Sequence, residues 1–198
     1  MKRLLSRAPA SWPALPMGTP AASALAFARV LRTHGRSELA DLTENLARGS
    51  RLGLHIELPG PVGERNLYAL SERGAVLCEA ASEEALLAQI ACALSSGNRA
   101  VVDGPFAAKA LAGFPGLPLS RAAPQSRFEA ALTDRRGESL LELAVQLAGR
   151  AGPIVNLFRV DLDTLRHDGA PLDMLLEERS LCINTTAAGG NASLMSIG

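Results

Sequence analysis

The chain has 198 residues, with 20 Lys and Arg, 20 Asp and Glu, and a formal net charge of zero. This balance argues against a protein that binds nucleic acid or an anionic membrane through bulk charge, because such a protein carries an excess of basic residues. Hydrophobic residues make up 47% of the chain and aromatic residues 4%. The composition predicts one soluble, folded domain with a core of Leu, Ala, Val and Ile.

The cysteines form neither a disulfide framework nor a metal site. Cys78, Cys92 and Cys182 are odd in number, widely spaced and far in sequence from the histidines, and no CxxC pair occurs. No apolar run approaches the ~20 residues of a membrane-spanning helix. After the basic start, Arg7 and Pro9 interrupt the stretch that a signal peptide would need. We therefore expect a cytoplasmic protein without a bound metal.

The first fifty residues divide into a linker and a helical hairpin. Residues 1–20 contain four prolines in a weakly charged stretch, which is typical of a linker or an irregular start. Residues 22–33 and 37–48 have helical spacing and are separated by Gly35, so residues 21–50 are predicted to form a hairpin. The predicted inward residues are Leu25, Ala26, Val30 and Leu31 in the first helix and Leu39, Leu42 and Leu46 in the second.

Residues 51–184 are predicted to form an α/β domain that begins with a β-flap. Apolar residues alternate from Leu52 to Leu58, which is the period of a strand, and a Pro-Gly-Pro run ends the arm. After residue 66, short strands and helices alternate, and this pattern predicts a small Rossmann-like, mainly parallel sheet flanked by helices. The predicted strands are 67–70, 75–79, 100–102, 128–132, 153–160 and 181–184, with a helical turn at 107–111 and another at 172–177.

Two helices carry most of the predicted packing on this sheet. Residues 83–96 follow Ser82, a good N-cap, and present Leu86, Leu87, Ile90 and Leu94 on one face. Residues 137–149 form the second helix. Its predicted buried side consists of Leu140, Leu141, Ala144, Val145 and Leu147.

The chemical motifs argue against an active site in this chain. The turn after the strand 75–79 has no glycine and carries Glu83 and Glu84, whereas a dinucleotide site needs a GxGxxG-type turn there. Cys182 lies in an alternating segment, which favours a small buried residue over a nucleophile. Gly189 and Gly190 are not followed by the lysine of a phosphate-binding loop, so they favour close backbone approach to another surface.

The last fourteen residues, 185–198, contain no charged side chain and include Leu194, Met195 and Ile197. A solvated C-terminus is usually polar, so this composition predicts a tail that docks into a groove.

The segment 178–198, ERSLCINTTAAGGNASLMSIG, resembles the C-terminal motif of long proline utilization A proteins. The segment 58–66, LPGPVGERN, resembles the region just past the aldehyde dehydrogenase domain of that family, and the resemblance covers about residues 54–198.

The resemblance implies a specific role. Members of the family oxidise proline with FAD in one domain and L-glutamate γ-semialdehyde with NAD in an aldehyde dehydrogenase domain, and they channel the intermediate through a cavity. The C-terminal domain of the long members resembles an aldehyde dehydrogenase Rossmann domain but is not catalytic, and it covers that cavity. By this resemblance the chain would bind no cofactor and would contact the proline dehydrogenase and aldehyde dehydrogenase domains, in the same chain or a separate one. The implied docking residues are Glu178, Arg179, Asn184, Thr185, Gly189, Gly190, Asn191, Ser193, Leu194 and Met195.

Two alternatives remain open from the sequence. One is a fragment of an NAD-dependent L-glutamate γ-semialdehyde dehydrogenase with residual cofactor binding. The other is an α/β interaction module unrelated to proline. A homo-oligomer is compatible with all three hypotheses.

Overall fold

Two antiparallel helices open the described part of the molecule. The structure is a computed structural model that describes residues 18–167 and 170–184, so most of the predicted linker and the whole predicted docking tail lie outside it. Helix α1 (Ala22–Thr33) packs on α2 (Ser37–Gly49). The residues that α1 buries are Ala24, Phe27, Ala28 and Leu31, so the predicted inward face was only partly right. Leu25, Ala26 and Val30 are half-buried beside it, and Leu25 and Val30 pack against the same core.

A three-stranded antiparallel sheet, the flap, consists of β1 (His55–Leu58), β2 (Glu64–Glu72) and β8 (Leu176–Asn184), in the order β1-β2-β8. The sequence interpretation assigned parts of β2 and β8 to the parallel sheet, and this assignment was wrong. The predicted helical turn at 172–177 is a 3₁₀ turn at Asp173–Leu175 that leads directly into β8. The β2–β8 ladder pairs nine residues on each strand, from Glu72 opposite Leu176 to Glu64 opposite Asn184.

The body of the domain is a five-stranded parallel sheet, which confirms the predicted α/β fold class. Its strands are β3 (Ala75–Glu79), β4 (Arg99–Asp103), β5 (Leu119–Arg121), β6 (Ala130–Thr133) and β7 (Asn156–Arg159). Their spatial order is β5-β4-β3-β6-β7. The chain therefore places β4 and β5 on one side of β3 and then crosses back to place β6 and β7 on its other side. The short edge strand β5 lies in a proline- and glycine-rich segment where the sequence predicted no strand.

Four helices flank the parallel sheet: α3 (Glu83–Ser95), α4 (Ala107–Gly113), α5 (Gly137–Ala148) and α6 (Leu162–His167). Successive strand residues point to opposite faces, so Val76 and Cys78 join the large core with α1, α2 and α3, whereas Ala75 and Leu77 pack with α5. Helix α3 is enclosed between the sheet and the α1–α2 pair. Every residue from Ala85 to Ser95 is buried, and all of them except Gln89 and Ser95 are apolar.

Helix α5 faces the sheet with a side that only partly matches the predicted one, which included Leu147 but not Leu143. Leu143 and Leu147 are buried, while the side chains of Leu141 and Val145 are each 64% exposed. This corrects the assignment of Leu141 and Val145 to the core. The helix has apolar residues on two sides, and within the described residues only one of them meets the sheet.

Candidate functional site

The carboxyl ends of β3 and β6 are the place where an open α/β sheet with this strand order usually binds a ligand. In this protein an internal ion pair fills the position. Glu79 ends β3, and its carboxylate accepts hydrogen bonds from Arg135 Nε at 3.0 and 3.1 Å and from Arg135 Nη2 at 2.8 Å. The buried Thr133 hydroxyl donates to the same carboxylate at 2.9 Å. The hydrogen bond to Glu79 also raises the pKa of Arg135, so this guanidinium is committed to the pair.

The turn from β3 to α3 is satisfied by side chains of the chain itself. Ser82 caps α3, as predicted, because its hydroxyl accepts from the Ala85 N–H at 3.2 Å. The Ala81 N–H donates to both carboxylate oxygens of Asp134, at 3.0 and 3.1 Å. A dinucleotide-binding domain leaves such N–H groups open for a pyrophosphate. Here carboxylates occupy the surroundings of the helix N-terminus.

Glu83, in the first turn of α3, adds a second pair of contacts. Its carboxylate bonds Lys109 Nζ at 2.6 Å and Arg36 Nη2 at 3.2 Å. The hydrogen bond from Lys109 lowers the pKa of Glu83, so the side chain carries its negative charge at neutral pH. Lys109 and Arg36, which lie beside this helix N-terminus, are therefore paired within the chain.

A cleft of about 760 Å³ opens beside these strand ends, between α2, α3, the β6–α5 turn and α6. Its charged side chains are six carboxylates and three arginines: Glu38, Asp41, Glu84, Asp134, Asp161, Asp163, Arg36, Arg136 and Arg166. Arg136 bonds Asp161 at 2.8 Å, and Arg166 bonds Glu38. The excess of negative charge disfavours a phosphate-bearing ligand.

The three cysteines occupy two kinds of environment. Burial raises the pKa of Cys92 to about 12, and burial together with the nearby Cys92 raises the pKa of Cys78. These two thiols are buried core residues. Cys182 was expected to be buried and is exposed, because β8 belongs to the flap and not to the central sheet. Its Sγ lies 3.9 Å from a Glu64 carboxylate oxygen, which is not the cationic or basic neighbour that a nucleophilic cysteine needs.

The flap exposes much of its surface, including several large apolar side chains. All residues of β8 after Leu176 are exposed. Three large apolar side chains lie at the distal end of the flap: Val62, Leu181 and Ile183. Of the predicted docking residues, Glu178, Arg179 and Asn184 lie on β8. Arg179 pairs with Glu177 at 3.5 Å. Thr185, Gly189, Gly190, Asn191, Ser193, Leu194 and Met195 lie outside the described residues, so their docking role stays a prediction.

Residues 18–167 and 170–184 contain no group of three or more His, Cys, Asp or Glu side chains arranged to hold a metal ion. The helices in these ranges also fall short of the length and apolar character needed to cross a bilayer.

Comparison with known proteins relates the chain to one family. It is 38% identical to the bifunctional protein PutA of Rhizobium meliloti over 183 residues, 88% of this chain. It is 34% identical to the PutA proteins of Salmonella typhimurium, over 174 residues, and Escherichia coli, over 171 residues, in each case covering 82% of the chain. The chain spans only 13–15% of the length of these relatives. No profile of a known protein family matches it.

Solved structures agree in fold. A mutant of Bradyrhizobium japonicum proline utilization A superposes with a TM-score of 0.55 at 20% identity, over 73% of this chain and 20% of that one. The betaine aldehyde dehydrogenase of Staphylococcus aureus gives a TM-score of 0.53 at 13% identity, over 71% of this chain and 37% of that one. At these identities the likeness shows the fold alone. Together with the sequence matches, it confirms the resemblance drawn from the segments 58–66 and 178–198.

Proposed function

We propose that this chain, a domain derived from proline utilization A, is a non-catalytic docking domain of a proline-catabolising enzyme. It contacts the aldehyde dehydrogenase part of that enzyme through the flap and the C-terminal tail. In that position it supports the dehydrogenase active site and covers the cavity through which L-glutamate γ-semialdehyde passes. FAD and NAD belong to the partner domains under this proposal, and the setting is the cytoplasm.

The observation that carries the proposal is the nine-residue ladder between β2 and β8. At ~3.3 Å per residue, such a ladder extends ~30 Å. Leu176 lies in the core at one end, and Asn184 lies opposite Glu64 at the far end. The uncharged tail therefore starts at the tip of the flap, where a separate domain is within easier reach than the parallel sheet of the same chain.

The side chains on the flap suit contact with another protein surface. The distal half of β8, from Ser180 to Asn184, has no charged residue and exposes Leu181 and Ile183. Within the described residues β8 pairs with β2 alone, so it is an edge strand of the flap. An exposed, uncharged edge strand is a common site for association with another chain.

The experiment uses the relative with the highest identity described above. Rhizobium meliloti PutA lacking the region that matches this chain is assayed for coupled conversion of proline to glutamate, with and without the purified chain. We expect the chain to shorten the lag before glutamate appears. Leu181→Asp with Ile183→Asp should abolish this effect, because docking would bury unpaired carboxylates. Gln125→Asp, which adds a charge in the exposed β5–β6 loop, is the matched control. An unchanged lag with the intact chain would contradict the proposal.

Residual NAD binding is the competing function, and the fold shared with aldehyde dehydrogenases is the observation in its favour. The Glu79–Arg135 pair and the carboxylates around the α3 N-terminus weigh against it. Titration of the chain with NAD, followed by calorimetry, separates the two. Micromolar binding that is lost in a variant of the β3–α3 turn would favour the cofactor-binding alternative.

A further inference from the structure

The flap is joined to the body at three places along the chain. The chain enters β1 through Leu52 and Gly53, leaves β2 through Arg73 and Gly74, and enters β8 from the 3₁₀ turn through Leu175. An arm attached by three connections keeps a fixed direction only if those connections are held together. The body supplies one element that contacts all three, the tight turn Gly97–Asn98 between α3 and β4.

Asn98 bonds two of the connections with a single side chain. It is fully buried, and its Oδ1 accepts a hydrogen bond from the Gly74 N–H at 2.8 Å. Its Nδ2 donates to the Leu175 carbonyl at 2.9 Å and to the Ser96 hydroxyl at 2.9 Å. An amide has both a donor and an acceptor, so one residue holds the exit of β2 and the entrance of β8 together. Buried bonds of this kind resist opening, because each freed group would remain without water.

Gly97 brings the third connection against the same turn. Its φ is +76°, in the region that favours glycine, and a Cβ at this position would lie 2.8 Å from Leu52 Cδ2 and 3.4 Å from Glu72 Cβ. Leu52 is therefore packed directly on the turn. Two further bonds reinforce the junction: Arg73 Nε donates to the carbonyl of the buried Leu176 at 2.9 Å, and Arg51 pairs with Asp173 at the surface at 2.6 Å.

We propose that the Gly97–Asn98 turn fixes the direction in which the flap leaves the body, with Asn98 as the positioning residue. The flap then meets its partner as a preset arm, which reduces the ordering cost of association. This consequence for docking rests on the proposed function. The anchoring itself does not.

The test measures the direction of the flap in the free chain. Spin labels are attached at Val62→Cys on the flap and Gln146→Cys on α5, in a Cys182→Ser background that leaves only the buried Cys78 and Cys92. We expect a narrow distribution of label distances in this background. Asn98→Ala should broaden the distribution or split it into two, while circular dichroism reports the same helix content. Asn156→Ala, an exposed asparagine on β7, is the control and should leave the distribution narrow.

A second variant covers the case in which Asn98→Ala fails to fold. Asn98→Ser replaces the amide with a shorter hydroxyl, whose single oxygen cannot occupy both the Oδ1 position that bonds Gly74 and the Nδ2 position that bonds Leu175, so it should broaden the distribution less. The anchoring proposal would be overturned if Asn98→Ala folds and its distribution of label distances stays narrow. If Asn98→Ala does not fold, the same result for a folded Asn98→Ser would overturn the proposal. If Asn98→Ala broadens the distribution of label distances but coupled turnover is not reduced, the anchoring role of Asn98 would stand. The proposal that docking needs a preset arm would then be contradicted.

Discussion

Asp161 is the residue where charge and local structure are most closely linked in this molecule. It precedes α6, and its Oδ1 accepts the Thr164 N–H at 2.7 Å, while the Thr164 hydroxyl accepts the Asp161 N–H at 3.0 Å. This reciprocal arrangement is a helix cap. Burial alone would raise the pKa of Asp161, but the hydrogen bonds from Thr164 and Arg136 outweigh it and lower the pKa to about 2.

A carboxylate with a lowered pKa stabilises the fold above its ordinary pKa and loses that contribution as the pH falls through its folded value. For Asp161 the window runs from the ordinary 3.8 down to about 2. Asp161→Asn keeps a cap acceptor without the charge, so we expect a loss of about 1–2 kcal/mol at pH 6. The gap from the parent chain should close towards pH 2–3 in urea unfolding. Asp163→Asn, on an exposed side chain, is the control. A gap that stays constant with pH would contradict the assignment.

At this scale the sequence predicts residues whose role depends on close neighbours in the chain. Ser82 was identified as a cap from the residues that follow it, and the structure confirms the bond. The pair between Glu79 and Arg135 was missed, because the two residues are 56 positions apart and meet only once β3 and β6 are adjacent. Cys182 was misplaced for the same reason, since its exposure depends on which sheet contains β8.

Among the elements, helix α5 shows that an apolar side chain need not be buried. Leu143 and Leu147 face the sheet, whereas Leu141 and Val145 face outward with Ile154 nearby in sequence and also exposed. A helix with two apolar sides gives no single stripe, so its periodicity cannot indicate which side packs inward. For α3 this ambiguity had no effect, because both sides of that helix are covered.

These assignments predict different costs of truncation. Leu87→Ala and Leu143→Ala should each lower the free energy of unfolding by about 2–5 kcal/mol, because they open cavities in the two cores. Leu141→Ala should cost less than ~0.5 kcal/mol, as expected for an exposed side chain. Chemical denaturation of the three variants measures this. A large loss for Leu141→Ala would show that its outer side is covered in solution, for instance by a second copy of the chain.

The sequence predicted that the flap exists, but it did not predict how many strands the flap contains or how far it extends. Alternation from Leu52 to Leu58 indicated an exposed strand, and the structure has β1 there. The strand β8 follows 104 positions after the end of β2 along the chain, from Glu72 to Leu176, and no local signal states its pairing. Short apolar segments fit a parallel sheet and an antiparallel ribbon equally well, so the pairing partner depends on tertiary context.

At the scale of the whole molecule, most of the large exposed apolar side chains lie on two elements. The core of α1, α2, α3 and the parallel sheet is enclosed, whereas the flap exposes Val62, Leu181 and Ile183 and the outer side of α5 exposes Leu141 and Val145. The chain spans 13–15% of the length of its PutA relatives. A domain of a larger assembly is expected to show this division, with a closed core for stability and uncovered apolar patches where other domains are attached.

This division leads to a prediction about the tail. Deleting residues 185–198 should change the melting temperature of the chain by less than ~2 °C, because the tail starts at the flap tip and not in the core. The same deletion should remove the ability of the chain to shorten the lag in coupled proline-to-glutamate turnover. Leu194→Asp should reproduce that loss without affecting melting, since docking would bury an unpaired carboxylate at a cost of several kcal/mol. Ser196→Asp, in a neighbouring polar position, is the matched control and should have the smaller effect. If the deletion lowers the melting temperature by more than ~5 °C, the tail packs into the body. If the truncated chain shortens the lag in coupled turnover as well as the intact chain does, the flap docks without the tail.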